Sequence, residues 1–185
     1  MIAAKRKDIS SISSLACPAV RGREVLLEQT RAALMQEGYP AEILEQNLSI
    51  NTKIYDFVVE TNNLPIEEYS VALEAKLKQI IGSSSTSETI SQYTTQLNSA
   101  WIRYFINYDP SGDIKKISCP MLYLNGTKDC QVVSNQNISA MKDLTMEKDN
   151  VTIKEMEGLN HIFQEAKTGA VSEYYEIKQT ISPDV

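Results

Sequence analysis

The stretch Cys119-Pro120-Met121-Leu122-Tyr123-Leu124-Asn125-Gly126-Thr127-Lys128-Asp129 decides the fold class of this chain. Pro120 has no N–H to give to a ladder, so the element it introduces starts at Met121. Met121-Leu122-Tyr123-Leu124 is a short, unbroken apolar run, which suits a strand buried on both faces, as in a parallel sheet. Asn125-Gly126 closes it with turn chemistry. Outward from there, 135–144 reads as a helix and 151–156 as a second strand, with Val151 and Ile153 alternating against Thr152 and Lys154. A final helix is expected over 165–180. Strand, helix, strand, helix with such connections is a right-handed βαβ unit.

Upstream the rhythm changes. Residues 1–22 read as a helix end, a turn near Asp8, and a weak strand over 9–16 that Pro18 closes. From Arg23 to Tyr108 the pattern is helical. Gly38-Tyr39-Pro40 and Asn62-Asn63-Leu64-Pro65 break it, and Tyr69, Leu73, Leu77 and Ile80 share one helix face. Gly82 to Glu88 is a flexible loop by composition. One helix is expected over 89–108, ended by Asp109-Pro110-Ser111-Gly112. The expected organisation is therefore α/β, with about three mainly parallel strands divided between 1–22 and 109–185, and a helical insertion over 23–108.

The chain has 185 residues, with 18 Lys and Arg against 24 Asp and Glu and a formal charge of −6. With 42% hydrophobic and 23% charged residues, this is globular composition, which excludes wholesale disorder. The acidic balance argues against a nucleic-acid partner, because phosphate binding needs clustered Lys and Arg, and the compact basic run is only Lys5-Arg6-Lys7. No apolar stretch approaches the roughly 20 residues of a membrane span. The stretch after Lys7 carries Ser10, Ser11, Ser13 and Ser14, too polar for a secretory core, so the default location is cytoplasmic. Cys17, Cys119 and Cys130 lack metal-ligand spacing and cannot all pair within one chain, which fits a reducing compartment. No motif points to a metal or a cofactor.

Two residues stand where chemistry is expected. Asp129 follows the end of the Met121 strand, and His161, the only histidine, follows the Val151 strand in Gly158-Leu159-Asn160-His161. Ligands of open parallel α/β sheets bind at the carboxyl ends of strands. A carboxylate beside an imidazole can fix its tautomer and stabilise the imidazolium. Taken singly, each residue also has a plainer reading, as turn chemistry for Asp129 and a satisfied polar side chain for His161. Cys130 and Cys119 read as packing neighbours rather than nucleophiles.

The runs 104–110 (Tyr-Phe-Ile-Asn-Tyr-Asp-Pro), 119–129 and Gly158-Leu159-Asn160-His161-Ile162-Phe163-Gln164 resemble the C-terminal end of the α/β-hydrolase superfamily. The likeness is to its bacterial esterase-like and prolyl-oligopeptidase-like branch. The tail from Gly169 to Pro183, with Glu173-Tyr174 and Ile181-Ser182-Pro183, continues it, and Ser14 to Val20 resembles the strand and exit loop after that fold's nucleophile helix. The resemblance implies that Asp129 is the acid and His161 the base of a catalytic triad, in the chain order acid then histidine. It implies a cap for the helices between Arg23 and Ile106, and a small-molecule ester or peptide-like substrate, with no cofactor.

The family's G-x-S-x-G nucleophile elbow has no counterpart here, because no glycine of the chain frames a serine in that pattern. Cys17 stands where a glycine is expected, and Ser11 and Ser13 where larger apolar residues are expected. These departures imply that Met1 matches an internal methionine just past the missing serine. The chain would then be inactive alone, and would take an N-terminal partner chain or self-associate through an exposed strand edge. The competing expectations are a non-catalytic remnant and a helical interaction module built on 23–81.

Overall fold

The computed structural model describes residues 2–82 and 86–185. The matching of Met1 and the centre of the 82–88 loop lie outside the described residues. The contacts divide the chain into two compact units: the segment ending at Gly38 with Asp109–Val185, and Tyr39–Tyr108.

The first unit holds the sheet. Ile12–Leu15 (β1), Met121–Gly126 (β2) and Val151–Met156 (β3) lie in the order β1-β2-β3, and both pairings are parallel. β2 is therefore central, which accounts for its unbroken apolar run. Met121 and Tyr123 pack with Ala19, Ile114, Ile117, Ile138 and Met141, while Leu124 faces Ala16, Met156, Leu159 and Phe163. Side chains of a strand alternate between faces, so a strand covered on both sides is apolar at every position. Ser134–Thr145 (α7) links β2 to β3. It turns Ile138 and Met141 inward, and the buried Asn137 accepts the Ala19 N–H at 2.9 Å. The result is a mixed α/β arrangement with a small parallel sheet.

Gly22–Gln36 (α1), expected within the helical insertion, belongs to this unit instead. Val25 is buried, the Gln136 amide donates to the Glu24 carbonyl at 3.2 Å, and the Gln36 amide donates to the Thr168 carbonyl at 2.8 Å. The expected helix end near the N-terminus is a turn over 3–5, and the first strand is shorter than 9–16. The serines explain the shortening: Ser13 is exposed, and only Ser14 of this stretch is buried within the strand.

The second unit is helical: Ala41–Glu60 (α2), Ile66–Ile81 (α3), Ser87–Leu97 (α4) and Ala100–Asn107 (α5). Pro40 and Pro65 immediately precede α2 and α3, where no helical N–H is lost. Tyr69, Leu73 and Leu77 are fully buried on one face of α3, as their spacing requires. The helix expected over 89–108 is split at Asn98-Ser99. The Tyr69 hydroxyl donates to the Leu97 carbonyl at 3.1 Å and the Ser70 hydroxyl to Asn98 Oδ1 at 3.0 Å. The first satisfies a carbonyl at the end of α4, and the second holds the side chain of the residue that follows it. No helix among the described residues is long and apolar enough to cross a membrane.

Two further differences bear on the site. Asp109-Pro110-Ser111-Gly112 follows the end of α5 at Asn107, as expected, but also starts Ser111–Lys116 (α6), because Asp109 Oδ1 accepts the Ser111 N–H at 2.9 Å and Ile114 is drawn into the core. The final helix expected over 165–180 does not form. The segment is an irregular strap with a short 3-10 turn at Val171–Tyr175. Glu173 accepts the backbone N–H groups of Lys167, Thr168 and Gly169 at 2.9–3.0 Å, which satisfies a bend where a helix would need those donors. Gly169 adopts φ +82° and lies so close to Lys128 that a Cβ would fall 1.9 Å from its carbonyl oxygen.

These bonds, the Gly169 N–H first among their causes, hold the Glu173 carboxyl at about 2 against its usual 4.5. A depressed folded-state value stabilises above the unfolded value and is lost as pH falls through the folded one. The stabilisation by Glu173 is thus complete above about 4.5 and disappears towards about 2. Wild type is expected to melt above Glu173→Gln at neutral pH, with the gap closing as pH falls through that window. A gap in melting temperature that is constant across the window would contradict the capping role.

Candidate functional site

Parallel pairing puts the carboxyl ends of β2 and β3 side by side, and both sequence-predicted residues leave from there. β2 ends in the turn 127–129 and β3 in the loop 157–164. Backbone bonds lock the two together: Thr127 N–H donates to the Met156 carbonyl, Lys128 N–H to the Leu159 carbonyl, both at 2.9 Å, and Gly158 N–H to the Thr127 hydroxyl at 2.8 Å. Gly126 is required at this junction, since a Cβ there would lie 2.1 Å from the Leu159 carbonyl oxygen.

His161 Nδ1 lies 2.9 Å from Asp129 Oδ2. The Asp129 side chain is fully buried, while that of His161 is 28% exposed. The carboxylate has a full set of donors. Oδ1 accepts the backbone N–H groups of Gln131 and Val132, each at 2.8 Å, and Oδ2 accepts Asn125 Nδ2 at 3.1 Å besides the imidazole. An ionised carboxylate can only accept, so the bond places the imidazole proton on Nδ1 and leaves the Nε2 lone pair for another group.

The supporting side chains were not singled out in the sequence. Asn125, read there as turn chemistry, is the fifth residue of β2 and fully buried. Its amide bridges Asp129 Oδ2 and the Val132 carbonyl at 3.1 Å each, and the Tyr123 hydroxyl sits 3.3 Å from its Oδ1. Period-two alternation would have put Tyr123 and Asn125 on one face, but nothing in the sequence says that an acid folds back onto that face. Asn160, also fully buried, holds the histidine loop. Its Oδ1 accepts the N–H groups of Ile162 and Gln164 at 3.1 and 2.9 Å, and its Nδ2 donates to Gln164 Oε1 at 3.0 Å. Phe163 follows with φ 60°, a costly conformation for a side chain of its size, offset by burial of its ring against Leu124 and Leu159.

Cys130 donates its thiol to the Gly169 carbonyl at 3.1 Å. Burial, and then the charge of Asp129, push the thiol up, which disfavours the nucleophilic thiolate. Cys119 and Cys17 are half-buried and, like Cys130, unpaired as disulfides. Among the described residues, no group of three or more His, Cys, Asp or Glu side chains is assembled that could hold a metal ion. No protein-family model and no curated protein matches this chain.

Proposed function

We propose that this chain carries the acid and histidine of an α/β-hydrolase-type serine hydrolase that acts on an ester, thioester or peptide-like acyl bond. The observation that carries the reading is the 2.9 Å bond between His161 Nδ1 and the buried, fully partnered Asp129 carboxylate, at the carboxyl ends of adjacent parallel strands. Asp129 orients the ring and stabilises the imidazolium. His161 Nε2 takes the proton of an attacking hydroxyl and returns it to the leaving group.

In this reading the hydroxyl comes from beyond these 185 residues, since they contain no G-x-S-x-G elbow. The oxyanion-hole amides would come from the same place. Among the described residues β1 pairs only with β2, so its other edge supports the delivery of that hydroxyl on an added strand. The same open edge favours the second reading, an interaction protein that pairs through β1 without catalysis.

Turnover of a short-chain nitrophenyl ester separates the two. The chain alone is expected to be inactive. Together with the polypeptide encoded directly upstream it is expected to gain activity that His161→Ala removes. Activity of the chain alone that survives His161→Ala would sink the assignment. A complex with the upstream polypeptide that forms but never turns over ester would favour the interaction reading.

A further inference from the structure

The loop that carries His161 is closed by a reciprocal pair of amides. Asn160 N–H donates to the Gln164 carbonyl at 3.0 Å, Asn160 Oδ1 accepts the Gln164 N–H at 2.9 Å, and Asn160 Nδ2 donates to Gln164 Oε1 at 3.0 Å. Both residues are buried. The other end of the Gln164 amide leaves the loop: Nε2 donates to the Gln179 carbonyl on the C-terminal strap at 2.8 Å. The chain 179–182 meets the loop twice more. Ser182 N–H donates to the Phe163 carbonyl and Glu165 N–H to Gln179 Oε1, both at 2.8 Å. Phe163 is the residue held at φ 60°, and such a conformation persists only where its surroundings over-determine it.

We propose that Gln164 is a positioning residue for His161: its amide ties the buried Asn160, the residue before the histidine, to the strap at Gln179, and so keeps His161 Nδ1 on Asp129 Oδ2. The inference rests on the dyad reading for its purpose, but it is tested separately. Gln164 touches no reacting atom in this scheme. It acts by fixing which way round the Asn160 amide stands. With Gln164 Oε1 accepting from Nδ2, Asn160 Oδ1 is left to accept the N–H groups of Ile162 and Gln164, and those two bonds fold the loop around His161. The place calls for one side chain that accepts on one side and donates on the other, which a glutamine amide does without charge. Asp129 cannot follow a drifting histidine, because its other bonds go to Asn125, Gln131 and Val132.

Because His161 is the only histidine, the nitrogen NMR spectrum of its ring in the full chain reads the geometry without any assay of activity. The wild type is expected to show one neutral tautomer, protonated at Nδ1. Gln164→Met keeps the length of the side chain and removes both of its bonds. It is expected to show a mixture of tautomers and up to about tenfold faster exchange of the Ile162 backbone amide, the scale of one lost hydrogen bond. Tyr69→Phe, which removes a buried bond within the helical unit, is expected to match wild type in both readings. Should Gln164→Met not fold, Gln164→Glu takes its place: it keeps the acceptor for Asn160, gives up the donor to the strap, and is read in the same way. If the wild type already shows both tautomers, the dyad reading fails and the role of Gln164 falls with it. If the wild type shows one tautomer and the folded Gln164 variant keeps it, with Ile162 exchange unchanged, the role of Gln164 alone is overturned. A lowered melting temperature with an unaltered tautomer counts as the same negative result, and so does a Tyr69→Phe protein that mixes tautomers equally.

Discussion

Asp129→Asn is expected to switch His161 to its other tautomer and to lower the ester turnover of the complemented protein by about 10⁴-fold, the scale on which triad geometry survives but the proton sits on the wrong nitrogen. The reason is the distribution of bonds on the carboxylate. An asparagine can keep Oδ1 on the backbone N–H groups of Gln131 and Val132, so the turn is retained. Its Nδ2 then replaces Oδ2 and meets two former donors, Asn125 Nδ2 and His161 Nδ1. The histidine can answer by accepting at Nδ1, which places its proton on Nε2 and removes the lone pair that general-base catalysis needs. Asp129→Ala is a different experiment. It takes the acceptor from the backbone N–H groups of Gln131 and Val132 and one of the two acceptors from Asn125 Nδ2, besides the imidazole, and is expected to lower stability by about 3–5 kcal/mol. The asparagine variant therefore separates function from folding, and nitrogen NMR on the single histidine reads it directly. An Asp129→Asn protein whose imidazole is still protonated at Nδ1 would refute the account.

Gly126→Ala is expected to cost about 3 kcal/mol or more in urea unfolding, because the new methyl meets backbone rather than a side chain that can move. The added Cβ would lie 2.1 Å from the Leu159 oxygen, 2.7 Å from its carbonyl carbon and 3.0 Å from the Asn160 oxygen. Relief requires moving the histidine loop away from β2. That movement breaks the Lys128 N–H bond to the Leu159 carbonyl, one of those locking the turn 127–129 to the loop 157–164. The folded fraction is thus also expected to lose the Asp129–His161 bond. Gly112→Ala is the matched control: it lies in α6 with open space around its Cβ position, and alanine favours a helix. The prediction is refuted if the two variants unfold at the same urea concentration.

The central strand and the two catalytic candidates were legible for a shared reason. Met121 to Leu124 is apolar at every position because β2 is covered on both faces, and that constraint is written into composition. Asp129 and His161 were legible because strand ends in a parallel sheet lie on one edge, so their place in the order of elements already made them neighbours. The split between α4 and α5 was less legible. Its cause is a set of bonds from Tyr69 and Ser70, distant in sequence from Leu97 and Asn98. The expected helix over 165–180 failed for the same kind of reason, as Glu173 turned its carboxylate onto the strap's own amides and Gly169 packed against Lys128.

The sequence by itself determined the alternation of strands and helices, the apolar centre of the sheet and the two loops that carry an acid and an imidazole. These follow from local patterning and from the way parallel strands must connect. Only the tertiary structure decided that Asn125 would brace the acid, that Asn160 would fold the histidine loop, and that the Tyr174 hydroxyl would accept from Gln131 beside the acid. A polar side chain has donors and acceptors in any sequence. Which of them are satisfied, and by whom, depends on the buried partner that the rest of the fold brings within about 3 Å.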